Sequence, residues 1–165
     1  RQMIPELIKL DGPVYLRYDR SFMPDFYGSD YRYQLGKADI LHEGNDVTII
    51  SAGIMLVQCL EAAEELSKQG IDARVINMHT IKPVDEEAIV RAAKETGAII
   101  TVENHSIIGG LGSAVAEVLA EQASCKFHRI GVRDRFGEAG NKAYLRKCLG
   151  IDTPDIVAAA IEIKK

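Results

Sequence analysis

The chain has 165 residues, a net charge of −4 and a sequence pI of about 5.6. Hydrophobic residues make up 47% and charged residues 27%, a composition typical of ordinary globular domains. The acidic balance excludes a basic footprint for nucleic acid and a polybasic arm for membranes. No apolar run approaches the ~18 residues that a membrane span needs.

The first 36 residues lack a regular alternation of elements. Apolar spacing over residues 3 to 8 predicts a helix, Asp11-Gly12-Pro13 predicts a turn, and residues 14 to 18 (VYLRY) predict a strand. Residues 21 to 36 contain proline, glycine and five aromatic residues without periodicity. This composition predicts a linker, and its aromatic side chains indicate that it lies against a surface.

From residue 37 onward, short β-branched runs alternate with longer amphipathic runs. The predicted strands cover residues 38–41, 46–50, 73–76, 98–102 and 126–132. The predicted helices cover residues 54–69, 86–95 (capped by Asp85), 111–122, 142–149 and 154–163 (capped by Thr153).

This alternation predicts a three-layer α/β/α domain over residues 37 to 165. We expect a sheet of about five strands, mostly parallel, with helices on both faces. The first strand reaches the second across a few residues with no helix between them. It is therefore predicted to pair antiparallel at one edge of the sheet.

Polar residues follow four of the predicted strands. In a parallel sheet these strand ends meet at one edge, where ligands bind. Each strand is followed by its own polar group: Ser51; Asn77 to Thr80, including His79; Glu103 to His105; and Arg133 to Arg135. The edge could serve a sugar phosphate or a subunit contact, or it could simply be solvated loop.

A glycine-rich stretch, VENHSIIGGLGSAV, follows the predicted strand at residues 98–102. Its GxG start lacks the third small residue of a dinucleotide fingerprint, and it comes late in the fold instead of in the first βα turn. These features disfavour NAD or ATP. A tight turn with close helix packing fits better, although free N–H groups at the helix start could still hold an anion.

Several motifs, in order along nearly the whole chain, resemble the C-terminal domain of transketolases. They are GPVYLR (residues 12–17), IKPVD (81–85), ENHSIIGGLGSAV (103–115) and DRFGEAG (134–140). The chain is most similar to the separate C-terminal subunit of two-piece bacterial and archaeal transketolases. The 1-deoxyxylulose-5-phosphate synthases and the β subunits of 2-oxo acid dehydrogenases share this domain.

The resemblance implies an enzyme that transfers a two-carbon ketol unit between sugar phosphates, as in the pentose phosphate pathway. Thiamine diphosphate and Mg²⁺ would be bound by domains outside this chain, so the isolated polypeptide is expected to be inactive. Residues 1 to 20 would be a remnant of the preceding pyrimidine-binding domain. The implied partners are an N-terminal transketolase subunit and a second copy in a homodimer, in the cytoplasm.

The resemblance also nominates site residues. Arg20 lies about where the family presents an arginine to the sugar phosphate, and a guanidinium fork suits phosphate. His79 stands where deoxyxylulose-phosphate synthases tend to have a phosphate-binding arginine, so it is a second substrate-binding candidate. We expect Glu103 and His105 to brace an interface or a pocket. An ion pair with Asp134 is the simpler account of Arg133 and Arg135.

One alternative function stays open. The chain could be an assembly module of a related thiamine enzyme that stabilises a dimer and contacts no substrate. In neither case does the sequence contain a catalytic residue or a metal ligand that we can nominate.

Overall fold

A computed structural model describes residues 2 to 20 and 23 to 165. The strands are β1 (Asp39–His42), β2 (Val47–Ser51), β3 (Ala73–Asn77), β4 (Ala98–Ser106) and β5 (Lys126–Val132). The helices are α1 (Met3–Leu7), α2 (Met55–Ser67), α3 (Glu86–Thr96), α4 (Leu111–Gln122), α5 (Lys142–Leu149) and α6 (Thr153–Lys164). Ser21 and Phe22, the first two residues of the predicted linker, lie outside the described residues, as does Arg1.

The strands form a five-stranded sheet in the order β1-β3-β2-β4-β5, and every pair is parallel except β1 with β3. The predicted α/β/α fold with one antiparallel edge strand is therefore confirmed. β1 pairs with β3 and not with its neighbour in sequence, β2. Gly44 allows this crossing, because a Cβ there would lie 2.4 Å from the carbonyl carbon of Ala73.

Two apolar clusters cover the two faces of the sheet. Helices α2 and α6 pack together on one face, and α3 and α4 pack together on the other. Neighbouring residues of β2 and β4 alternate between the clusters, as the period of a strand requires: Ile49 and Ile100 face one, and Ile50 and Ile99 the other. Burial on both faces explains the continuous apolar runs of these strands.

The signals at the helix ends are confirmed for α3 and corrected for α6. The Asp85 side chain accepts a hydrogen bond from the Ala88 N–H at 3.1 Å, and Gly97 ends α3 in the left-handed region at φ +66°. For α6 the predicted cap, Thr153, is wrong, because Asp152 takes that position in a capping box with Asp155. The Thr153 hydroxyl instead donates to Glu61 at 2.7 Å.

The predicted strand at residues 14–18 is wrong. These residues form no strand in the described structure, and Tyr15 is 90% exposed. A strand needs a partner for its backbone groups, and none of the five strands of the sheet pairs with these residues. β4 is longer than predicted and includes Glu103 to Ser106, because Ser106 pairs with Val132 of β5 after an irregular step.

The part of the linker that the structure describes lies against the domain, as its aromatic residues indicated. The hydroxyls of Tyr27 and Tyr31 both reach Asp39 of β1. No described helix is long and apolar enough to cross a bilayer.

Ile100, fully buried in the interior strand β4, should be a major contributor to stability. We expect Ile100→Ala to lower the free energy of unfolding by about 2–5 kcal/mol, because it removes buried methylenes and leaves a cavity. Denaturant titration followed by circular dichroism measures the loss. The matched control is Ile81→Ala at a 47% exposed position, and equal losses in the two variants would contradict the core assignment.

Candidate functional site

The carboxyl ends of the parallel strands bring several predicted site residues to one edge of the sheet. β3 delivers Asn77 and, just beyond it, His79; β4 delivers Glu103 and His105. The antiparallel strand β1 runs the other way, and its register places Asp39 opposite Asn77. The first residue of β1 therefore joins the last residue of β3 at the functional edge.

Asp39 is the centre of a hydrogen-bonded cluster at this edge. The hydroxyls of Tyr27 and Tyr31 donate to its Oδ2 at 2.7 and 2.8 Å, and their rings stack 3.9 Å apart. The Asn77 amide donates to the Tyr27 hydroxyl at 2.6 Å. Burial, together with the negative charge of Asp39, raises the pKa of both tyrosines, so both phenols remain protonated donors.

His79 lies beside this cluster. Its Nε2 is 3.6 Å from Asp39 Oδ2, its Nδ1 is 2.8 Å from the Thr80 hydroxyl, and its ring packs on Tyr33 with centroids 4.7 Å apart. Burial lowers the pKa of His79 and outweighs the opposing effect of Asp39. The imidazole is therefore neutral near pH 7, and its approach to Asp39 is not an ion pair.

A cavity of about 510 Å³ opens next to these groups. Its lining includes the rings of Tyr27, Tyr31 and Tyr33 and the side chains of Asn77 and His79. Among the described residues, Asn77 Oδ1 and His79 Nε2 are buried without a hydrogen-bond partner. With a neutral imidazole and carboxylates nearby, the lining suits a hydroxyl-bearing group better than an anion.

The Glu103 side chain accounts for the glycine-rich stretch. Its carboxylate is buried and accepts hydrogen bonds from the N–H groups of Leu111 and Gly112 at 2.8 and 2.9 Å. The negative charge thus lies at the positive end of the α4 dipole. The prediction that free N–H groups at this helix start could hold an anion is therefore wrong for Leu111 and Gly112. Their N–H groups already donate to a carboxylate of the chain itself.

Close approach, and not ligand binding, explains two of the glycines. A Cβ at Gly110 would lie 2.0 Å from Glu103 Oε2, and one at Gly112 would lie 2.7 Å from Thr101 Oγ1. The preference for a packed turn over a nucleotide loop is confirmed at these positions.

The remaining predicted residues lie on the surface. His105 is exposed, and its Nδ1 is 3.1 Å from the Ser106 carbonyl oxygen. Arg20 is exposed and makes no hydrogen bond or ion pair with the described residues. Within the described chain, no hydrogen bond or ion pair joins Arg20, His79 and His105 to one another. Roles for Glu103 and His105 at an interface stay predictions.

The predicted ion pair with Asp134 is wrong. Arg135 instead pairs with Glu138 at 2.7 Å, and Arg133 donates to the Arg129 carbonyl oxygen at 3.2 Å. The backbone of Asp134 has φ +40°, a turn conformation that aspartate tolerates.

Sequence reasoning missed the Asp39 cluster. Its signal was a single acidic residue inside a short apolar strand, preceded by a segment rich in tyrosine. Pattern analysis could have noted Asp39 as out of place, but its partners depend on how the linker folds back.

The residues that the structure describes do not form a Mg²⁺–diphosphate site. Among the described residues, no group of three or more His, Cys, Asp or Glu side chains could hold a metal ion. At the start of α4, the carboxylate of Glu103 occupies the N–H groups of Leu111 and Gly112. We therefore derive no cofactor step from this chain.

Comparison with known proteins gives a consistent set of likenesses. The family model for the transketolase C-terminal domain matches residues 36–156. The chain is 49% identical over 163 residues to the 6-deoxy-6-sulfo-D-fructose transketolase subunit of Clostridium sp. (strain MSTE9), covering 99% of this chain and 51% of that protein. It is 43% identical to a 1-deoxy-D-xylulose-5-phosphate synthase of Geobacter sulfurreducens, covering 96% of this chain and 26% of that protein.

Among solved structures, the chain is similar to a split-gene transketolase described as an inactive β4 tetramer. The TM-score is 0.94 and the identity 43%, over 99% of this chain and 54% of that one. Transketolase from Leishmania mexicana shares the fold, with a TM-score of 0.59 at 19% identity over 78% of this chain and 18% of that one. The chain spans at most about half the length of the curated relatives described above.

Glu103→Gln should destabilise the protein. The change removes the buried charge from the α4 start and replaces one of two acceptor oxygens with a donor. We expect a loss of about 1–3 kcal/mol in the free energy of unfolding, measured by denaturant titration. Glu117→Gln, at an exposed position of α4, is the control; a loss in Glu103→Gln no larger than in this control would contradict the capping role.

His79 should make stability depend on pH. Its folded pKa lies below the ordinary value of 6.5, so the unfolded chain binds the proton more tightly. The free energy of unfolding therefore falls as pH drops below about 6.5 and levels off below the folded pKa. His128, whose pKa burial also lowers, adds in the same direction.

Denaturant titrations from about pH 7.5 to about pH 4.5 test this expectation, because this range brackets the reference histidine pKa of ~6.5. His79→Gln should flatten the slope and leave only the part that His128 and the carboxyl groups supply. His105→Gln, on the surface, is the control. Identical slopes in His79→Gln and the parent chain would refute the buried neutral imidazole.

Proposed function

Because this chain belongs to the transketolase C-terminal domain family, we propose that it forms the C-terminal portion of a transketolase. The complete enzyme transfers a two-carbon ketol unit between sugar phosphates. Identity to the Clostridium subunit along nearly the whole chain supports this proposal. The isolated chain is expected to be inactive.

The rest of the enzyme supplies the cofactor in this proposal. Thiamine diphosphate carries the carbanion chemistry, and it is held with Mg²⁺ by domains outside this chain. The proposed partners are an N-terminal transketolase subunit and a second copy in a homodimer, in the cytoplasm. The likeness to a split-gene transketolase supports the two-subunit arrangement.

The domain limits follow the same proposal. Residues 1 to 20 end the preceding pyrimidine-binding domain, residues 21 to 36 are the linker, and residues 37 to 165 are the C-terminal domain. The family match, which begins at residue 36, supports the last boundary.

Arg20 is the proposed contact to the phosphate of the substrate. The observation that carries this role is its exposed guanidinium, which no described acidic side chain neutralises. A free guanidinium fork can form two parallel hydrogen bonds with an oxyanion. Phosphorylated pentoses are one substrate class, and the Clostridium relative, named for 6-deoxy-6-sulfo-D-fructose, indicates another that also carries an anionic group.

His79 is proposed as a second substrate contact of a different kind. Its neutral ring suits a hydrogen bond to a sugar hydroxyl and does not suit pairing with a phosphate. Its place on the cavity lining supports this role.

A second candidate function is an assembly module of a related enzyme, a 1-deoxyxylulose-5-phosphate synthase or a 2-oxo acid dehydrogenase β subunit. Two exposed aromatic side chains favour a contact surface: Tyr15 at 90% and Phe136 at 97%. In that case neither Arg20 nor His79 would touch substrate.

Arg20→Ala separates the two candidates. In the complete C-terminal subunit mixed with its N-terminal partner, we expect the KM for a phosphorylated acceptor sugar to rise about 10- to 150-fold, as loss of a charge-assisted hydrogen bond predicts. The KM for an unphosphorylated analogue should change little. Steady-state kinetics with both acceptors measure the difference.

Arg17→Ala is the matched control, since Arg17 is exposed in the same segment. Arg20→Lys should retain part of the affinity, because it keeps the charge and loses the fork. An unchanged KM for the phosphorylated sugar in Arg20→Ala would favour the assembly module.

A further inference from the structure

The segment that bears Arg20 has little structure of its own. Residues 11 to 20 form neither helix nor strand, and nearly all of them are exposed. A side chain on such a segment can fix a phosphate only if something holds the backbone beside it.

Among the described residues, an ion pair joins that backbone to the domain. The Lys142 ammonium donates to Asp19 Oδ1 at 2.8 Å, and the two residues are 123 positions apart. Asp19 directly precedes Arg20 in the chain. The side chain of Asp19 is 30% exposed and that of Lys142 55%, so the pair is accessible to salt.

The position of Lys142 on its helix strengthens the argument. Lys142 is the first residue of α5, where the helix dipole disfavours a cation, and the first turn of α5 contains no acidic residue. Asp19 brings to this helix start the negative charge that the first turn lacks. The contact therefore pairs the charge of Lys142 and places a negative charge near the positive end of the helix dipole.

The start of α5 carries a side-chain cap, and the loop before it is hydrogen-bonded to the helix. The Asn141 side chain caps it by accepting from the Tyr144 N–H at 2.9 Å. The preceding loop is held to α5 because the Tyr144 hydroxyl donates to Glu138 at 3.1 Å and Arg135 donates to the Cys148 carbonyl oxygen at 3.2 Å. Lys142 thus stands at the start of a capped helix.

We infer that Lys142 is a positioning residue for substrate phosphate: through its ion pair with Asp19 it holds the backbone that presents Arg20. The inference rests on the proposed function, because it assumes that Arg20 binds phosphate. Lys142 itself touches no substrate.

The test is a double-mutant cycle in the complete two-subunit enzyme. Lys142→Met should raise the KM for a phosphorylated acceptor about 2- to 5-fold, the range of an exposed ion pair, and leave kcat nearly unchanged. The effect should shrink in about 0.5 M salt. The Debye length there is shorter than the ~8 Å found at ~0.15 M salt, so the exposed ion pair is screened more strongly. Lys142→Arg should restore the parent KM.

The decisive readout is coupling. In the Arg20→Ala background, Lys142→Met should have no further effect on KM, because there is no longer a guanidinium to position. Lys147→Met, at an exposed position of the same helix, is the control for a lost surface charge. Equal melting temperatures of the variants and the parent would show that global stability is not the cause.

The outcomes separate the two proposals. An Arg20→Ala variant with unchanged KM overturns the phosphate role and, with it, the basis of the inference. A strong Arg20→Ala effect, combined with a Lys142→Met effect that is absent or that persists in the Arg20→Ala background, overturns the positioning role alone.

Discussion

The buried carboxylate of Glu103 determines how the functional edge is built. It extends from the interior strand β4 and accepts hydrogen bonds from two N–H groups at the start of α4. This contact fixes the helix against the sheet, and Gly110 and Gly112 leave the space that such a close approach requires. It also satisfies the donors that would otherwise attract a phosphate.

Asp39, on the edge strand β1, plays a similar structural role at the same end of the sheet. Its carboxylate gathers two tyrosine hydroxyls from the linker and lies beside the neutral His79. Both buried or half-buried carboxylates at the edge are therefore engaged by groups of the same chain. What remains available to a ligand is a cavity lined by uncharged side chains together with Asp25 and, on the surface, the guanidinium of Arg20, which no described side chain pairs.

Local signals predicted most of the fold, because they act within a few residues. The hydrophobic period and the capping residues predicted the bounds of five helices and five strands of the domain to within a few residues. The bounds of α4 (Leu111–Gln122) and β5 (Lys126–Val132) were predicted without error. The strand at residues 14–18 failed since strand propensity cannot supply a partner. The sequence likewise did not predict which strand β1 pairs with, because its pairing with β3 depends on a chain crossing that Gly44 permits.

The site was less predictable for the same reason. The sequence places Glu103 at the end of a strand, but its partners are eight and nine positions away, in a different element. Tyr27 meets Asn77 across 50 positions, and Asp19 meets Lys142 across 123. Contacts of that range follow from the assembled fold, and family resemblance nominated Arg20 and His79 without showing what surrounds them.

The central claim is that this chain contributes contacts to a thiamine enzyme but no cofactor site. Isothermal titration of the chain with thiamine diphosphate in the presence of Mg²⁺ tests that claim most directly. The account predicts no binding to the chain alone and stoichiometric binding to the complete two-subunit enzyme. Stoichiometric binding to the chain alone would contradict it.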